Sequence, residues 1–172
     1  MGRRSRNMRM TGMFLAGALL AGCSPQAETG AASAQQQAAA PETPGVHPES
    51  GLRVIPLTVT SGTEVHRFQV EVADTRAAQQ RGLMFRTELG PNEGMIFPSN
   101  PQTERSFWMK NTPLPLDIIF IGPDRRILNI AADTPPYTTE SVSSEGITSG
   151  VLELIGGRAA ELGLQPGDKV DW

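Results

Sequence analysis

The chain has 172 residues, of which 38% are hydrophobic, and a formal net charge of −3. It is long enough for one hydrophobic core. Its single cysteine rules out a disulfide framework, and its acidic balance argues against a nucleic-acid partner, which needs a basic face to neutralise phosphates.

Met1 to Met10 carries Arg3, Arg4, Arg6 and Arg9 with no acidic residue, and the apolar run Met13 to Gly22 follows. A basic stretch and then a short apolar stretch predict a signal peptide over residues 1–22. The apolar run falls short of the about 20 residues a membrane-spanning helix needs. Leu20-Ala-Gly-Cys23 resembles the lipobox of bacterial lipoproteins. That resemblance implies cleavage before Cys23 and a diacylglycerol on its sulfur. Several acyl chains then anchor the protein, since each buried CH₂ contributes about 0.8 kcal/mol. Ser24 in place of Asp implies sorting to the outer membrane, facing the periplasm. Removing the four arginines leaves eleven basic against eighteen acidic residues, a charge of −7. With Cys23 lipidated the mature domain has no free thiol, hence no cysteine nucleophile and no thiolate zinc site.

Residues 23–50 are rich in Ala, Gln, Pro and Ser, with few larger aliphatic side chains. Such a composition cannot offset ordering entropy, so a disordered tether is expected, about 30 Å from end to end. His47 falls in this tether and is expected to be solvated.

Residues 51–172 form the predicted globular domain. Arg67 to Val72 alternates, with Phe68, Val70 and Val72 on one face of a half-buried strand. His66 shares that parity and reads as a hydrogen-bonded core residue; with no second His nearby, no metal site is expected. Thr75 and Gly82 bracket a short helix through Arg81 as N-cap and terminator. Gly94 to Pro98 and Ser106 to Lys110 read as strands. Ile118 to Ile121 is apolar on both faces, as a central strand should be, and Gly122-Pro-Asp-Arg125 turns it into a hairpin with Ile127 to Ala131. Val151 to Ile155 is another strand. Arg158 to Leu162 is a helical turn closed by Gly163, and Gln165-Pro-Gly-Asp168 is a further turn. The pattern predicts a mainly β domain, a compact sandwich or open barrel with two short helices.

Lys110, Asn111 and Asp117 interrupt the apolar segment Ser106 to Phe120. Alternation sets Phe107, Met109 and Asn111 on one face and Trp108 and Lys110 on the other. The second face suits either a ligand platform, apolar with a few placed polar groups, or a Trp covered by the Lys stem. A buried Asp117 needs a partner for its charge, and Arg81 or Arg86 is the predicted one. Asn111 heads Asn-Thr-Pro, where its amide is expected to bond its own backbone in a turn.

Arg81-Gly-Leu-Met-Phe-Arg86, Gly94-Met-Ile-Phe97 and Phe107-Trp-Met-Lys-Asn-Thr-Pro-Leu-Pro-Leu-Asp-Ile-Ile-Phe-Ile121 resemble the signature of the family called domain of unknown function 192. Val151-Leu-Glu-Leu154, Gly157, Leu162-Gly-Leu164 and Gly167-Asp168 fit its closing pattern, so the resemblance runs from about Val54 to Val170. It implies a compact, mostly β fold and frequent export, and it brings no established activity or catalytic residue.

Two functional readings follow. The first is a non-enzymatic envelope module, without cofactor, that binds a glycan, a peptide or another envelope protein through Arg86, Trp108, Lys110, Asn111 and Asp117. The second is a cell-wall or glycan hydrolase with Asp117 as acid or base. Such hydrolases use two carboxylates at defined spacing, and Asp117 stands out alone.

Overall fold

The computed structural model describes residues 45–172; the predicted signal peptide, Cys23 and most of the predicted tether lie outside the described residues. The described chain is mainly β. Strands β1 (Val54–Ser61), β2 (Glu64–Val72), β3 (Glu93–Thr103), β5 (Leu116–Ile121), β6 (Ile127–Thr134), β8 (Thr148–Ile155) and β9 (Lys169–Asp171) form one sheet in the order β6-β5-β8-β3-β2-β1-β9. β4 (Ser106–Phe107) and β7 (Val142–Ser143) pair in a separate two-residue ribbon. All neighbours in the large sheet are antiparallel except β2 and β3, which the helix α1 (Arg76–Arg81) connects.

The sheet rolls until its two ends meet. A bridge joins Arg126 to Lys169, and the Ile127 and Val170 amides donate to the Asp168 and Arg125 carbonyls at 2.9 and 2.8 Å. That single seam makes an open barrel, which decides between the two predicted architectures.

Period-2 alternation then builds two apolar clusters on opposite faces of the sheet. The interior cluster draws Leu57, Phe68, Val70, Ile96, Ile119, Ile121, Leu152 and Val170 from the curled strands, with Ala159 and Leu164 closing one end. The outer cluster takes the opposite parity: Met95, Phe97, Ile118, Phe120 and Val151, covered by Leu83 and Met109. β5 is buried on both faces for this reason. β2 carries Phe68, Val70 and Val72 inward, as its alternation predicts.

The helix α1 has Thr75 as its N-cap, whose hydroxyl accepts from the Ala78 amide at 3.1 Å, and Gly82 ends it at φ 50°. A Cβ on Gly94 would lie 2.5 Å from the Glu153 carbonyl oxygen, so only glycine lets β3 approach β8 there. Among the described residues no helix is long and apolar enough to cross a membrane.

Three expectations are corrected. Residues 45–50 belong to the fold: Val46 bridges Arg53, and the His47 amide donates to the Leu52 carbonyl at 2.8 Å. His47 is partly buried, with Nε2 3.3 Å from Arg86 Nη1 and 3.7 Å from Glu71 Oε1. Composition missed it because these few residues fold back on residues 51–54 and are fixed by the side chains of Glu71 and Arg86, distant in sequence. The strand expected over Ser106 to Lys110 stops at Phe107, because Met109 instead bonds the Thr138 carbonyl and a turn follows. His66 Nε2 is buried with no hydrogen-bond partner and lies 3.8 Å from Glu64 Oε2.

Candidate functional site

The segment Met109 to Thr112 is a turn, closed by the Thr112 amide on the Met109 carbonyl at 3.1 Å. Asn111 holds φ 57° in it, a conformation Asn tolerates better than most residues. Two other loops hang their backbones on this turn: the Phe85 amide donates to the Asn111 carbonyl at 2.8 Å, and the Tyr137 amide to the Thr112 carbonyl at 3.1 Å. Phe85, Trp108 and Tyr137 are 61, 47 and 64% exposed, and they are the exposed aromatic residues of the described chain. Phe85 and Tyr137 hold positive φ angles of 66° and 61°, strained for bulky side chains and held by those same hydrogen bonds. Hydrophobic burial alone would not leave three aromatics in water beside one turn.

Cations attend them. The Lys110 ammonium lies 5.2 Å from the Trp108 ring centroid, and the Arg81 guanidinium 5.9 Å from that of Phe85. Beneath Trp108 a cleft of about 50 Å³ is walled by Gly82, Leu83, Met84, Phe97, Phe107 and Thr112. Glu153 of β8 also lines it, 5% exposed, its Oε2 buried without a hydrogen-bond partner. Its strand neighbours are Met95 and Ile118. Burial pushes the Glu153 carboxyl up to about 8, so it is an uncharged acid at neutral pH. An orphaned polar group in a core is costly, which marks the place as a candidate site.

The residues singled out in the sequence therefore divide. Trp108, Lys110 and Asn111 come together. The Asn111 amide donates to Met84 Sδ at 3.9 Å, across to the Arg81–Arg86 segment, where its own backbone was the expected partner.

Arg86 and Asp117 go elsewhere, and the predicted pairing of Asp117 with Arg81 or Arg86 is corrected. Asp117 has no exposed surface. Its Oδ1 accepts from the amides of Asp133 and Gly157 at 2.7 and 3.0 Å, and its Oδ2 from Ala159 at 2.6 Å. Three backbone donors satisfy the carboxylate in place of an arginine. Asp117 thereby caps the helix α2 (Arg158–Glu161), whose N-cap residue Gly157 has no side chain to do so. Parity is the reason. Asp117 points with Ile119 to the interior, whereas the Arg81–Arg86 segment packs Leu83 on the outer cluster. With both oxygens engaged and no exposure, Asp117 is structural and has no route to act as an acid or base.

Arg86 instead pairs with Glu71, which β2 buries on the outer face. Arg86 Nη2 lies 2.9 and 3.1 Å from its two oxygens, Glu49 is 3.3 Å from Arg86 Nε, and the Ser50 hydroxyl bonds Glu71. A cavity of about 270 Å³ beside this cluster is lined by Ser50, Leu52, Ala78, Arg81 and Arg86, among others. Arg81 is exposed and reaches neither Asp117 nor Glu71 in any ion pair. Among the described residues no group of three or more His, Cys, Asp or Glu is placed to hold a metal.

Glu153 and Glu71 are the residues the sequence reading missed. Both are acids inside apolar strand runs, Val70-Glu-Val72 and Leu152-Glu-Leu154, the same signal that drew notice to Asp117.

The family model DUF192, described as "Uncharacterized ACR", matches residues 57–172, and the chain belongs to that family. A protein of unknown function from Novosphingobium aromaticivorans DSM 12444 is 55% identical, with a TM-score of 0.74, over 76% of this chain and 93% of that one. A second solved structure, from Sinorhizobium meliloti 1021 and described as a proposed transcription regulator, is 32% identical with a TM-score of 0.66, over 67% of this chain and 91% of that one. Among curated proteins nothing matches.

Proposed function

We propose that this DUF192 member is an exported lipoprotein of the cell envelope, anchored through a lipidated Cys23 in the outer membrane and facing the periplasm, whose domain binds a ligand without transforming it. The basic stretch, apolar run and Leu20-Ala-Gly-Cys23 support the anchoring. The observation that carries the binding role is the gathering of Phe85, Trp108 and Tyr137 on one turn beside a cleft floored by an unpartnered carboxyl. Exposed aromatic area with a few fixed polar groups is how small-ligand sites are built. Glycans and peptides are the ligand classes that such a platform serves.

Hydrolysis is the weaker reading. Glu153 is the one carboxyl among the residues lining the cleft, and general acid–base hydrolysis of a glycosidic bond uses a pair.

Titration with glycan and peptide mixtures tests the binding role by tryptophan fluorescence, since Trp108 and Trp172 are the two tryptophans. A ligand-dependent change is expected that Trp108→Ala abolishes while Trp172 still reports a folded domain. No response to any mixture refutes the role. Cys23→Ser is expected to move the protein from the membrane to the soluble fraction, and its retention there refutes the anchor.

A further inference from the structure

We propose that the cleft takes an N-acylated sugar: the ring lies on Trp108, and its acetamido group enters beneath, where the Glu153 carboxyl hydrogen-bonds the acyl oxygen. This rests on the Trp108 cleft being a binding site, and it names the ligand class.

Size comes first. About 50 Å³ holds a group of a few heavy atoms and excludes a sugar ring, so the ring stays outside on the exposed indole. Polarity comes next. The cleft's walls include Leu83, Met84, Phe97 and Phe107, which suit a methyl group, beside the polar Gln79, Gln80 and Thr112, which suit an amide. Glu153 is the polar group at the floor, nine-tenths buried and more, with no protein partner for Oε2.

Arg81 is the other charged side chain in the lining, and Met95 and Ile118 face Glu153 from the neighbouring strands. Lys110 and Arg105 sit over the Trp108 and Phe107 rings. Burial keeps the proton on Glu153 up to about pH 8. The floor therefore offers one O–H donor and one carbonyl acceptor, both neutral.

A neutral amide loses little on entering such a place if one hydrogen bond is made, whereas a carboxylate or ammonium loses its hydration. A peptide amide has the same chemistry, but extended peptides add to a free strand edge. Phe97 and Glu153 lie on β3 and β8, both interior to the large sheet.

The test compares an N-acetylglucosamine trimer, its deacetylated form and a glucose trimer on the full-length lipidated protein in detergent, read by tryptophan fluorescence. The acetylated trimer is expected to bind at least tenfold more tightly than the other two. Glu153→Leu is expected to lose at least tenfold, whereas Glu153→Gln, which keeps an N–H donor, stays within a few-fold of wild type. Wild-type affinity is expected to fall several-fold between pH 7 and pH 9, and that of Glu153→Gln to stay level.

Equal binding of all three trimers, or no effect of Glu153→Leu, overturns acyl recognition and leaves the Trp108 site standing. Preference for the deacetylated trimer overturns it too, and makes Glu153 a counter-ion. If only an N-acetylated peptide amide perturbs Trp108, the sugar is wrong and the site survives. If nothing perturbs it, both readings fall.

Discussion

Glu153 makes the stability of this protein depend on pH in an unusual direction, and replacing it with glutamine isolates the effect. The carboxyl has an ordinary value of 4.5 and is raised to about 8 in the fold by burial. Below 4.5 it is protonated in folded and unfolded chains alike, and its contribution is fully present. Between 4.5 and about 8 the unfolded chain releases the proton and the folded chain keeps it. Stability is then lost as pH rises, by about 1.4 kcal/mol per pH unit and about 5 kcal/mol at most across the window. From pH 5 to pH 7.5 the loss is about 3 kcal/mol. Gln has nearly the same shape and does not titrate, so Glu153→Gln removes this slope while every other group's pH dependence cancels in the comparison. The two proteins are expected to be similar near pH 5, with the variant more stable by about 3 kcal/mol at pH 7.5. In urea that difference displaces the midpoint by more than about 1 M. Denaturation curves of wild type and variant at several pH values between 5 and 8 measure it. A difference that stays constant with pH refutes the reasoning, because Glu153 must then be ionised in the fold with its charge compensated.

Asp117→Ala strands three backbone donors at once, that of Ala159 buried and those of Asp133 and Gly157 partly buried, each costing about 1–3 kcal/mol where water cannot replace the carboxylate. A loss of about 4 kcal/mol or more in chemical denaturation is expected, with fast amide exchange at Gly157 and Ala159; a loss under about 1 kcal/mol sinks the capping role. Arg86→Met takes the guanidinium from buried Glu71, leaving it the Ser50 hydroxyl and His47 at 3.7 Å, and is expected to cost about 3–5 kcal/mol. Adding Glu71→Leu to it is expected to recover most of that loss, and failure to recover shows that Arg86 packing, and not charge, was the source.

Local signals read well where a residue's neighbours in sequence decide its state. Thr75 and Gly82 end their helix by bonds within one turn of chain. Ile118 to Ile121 is apolar at every position and so belongs in the middle of a sheet. Phe68, Val70 and Val72 face the core by parity alone. The alternation of Trp108 and Lys110 against Met109 also holds, although the segment is a turn and not a strand, because exposure still alternates there.

What chain order could not decide was which partner each buried acid would find. Asp117, Glu71 and Glu153 give the same signal, an acid among aliphatic residues. Their fates differ because the rolled sheet sends Asp117 inward under three amides, Glu71 outward against Arg86, and Glu153 outward with none. Composition and periodicity thus determined the mainly β domain and most of its elements. Tertiary structure alone determined the open barrel, the ordering of His47 and the choice of charge partners, since each depends on contacts between segments far apart along the chain.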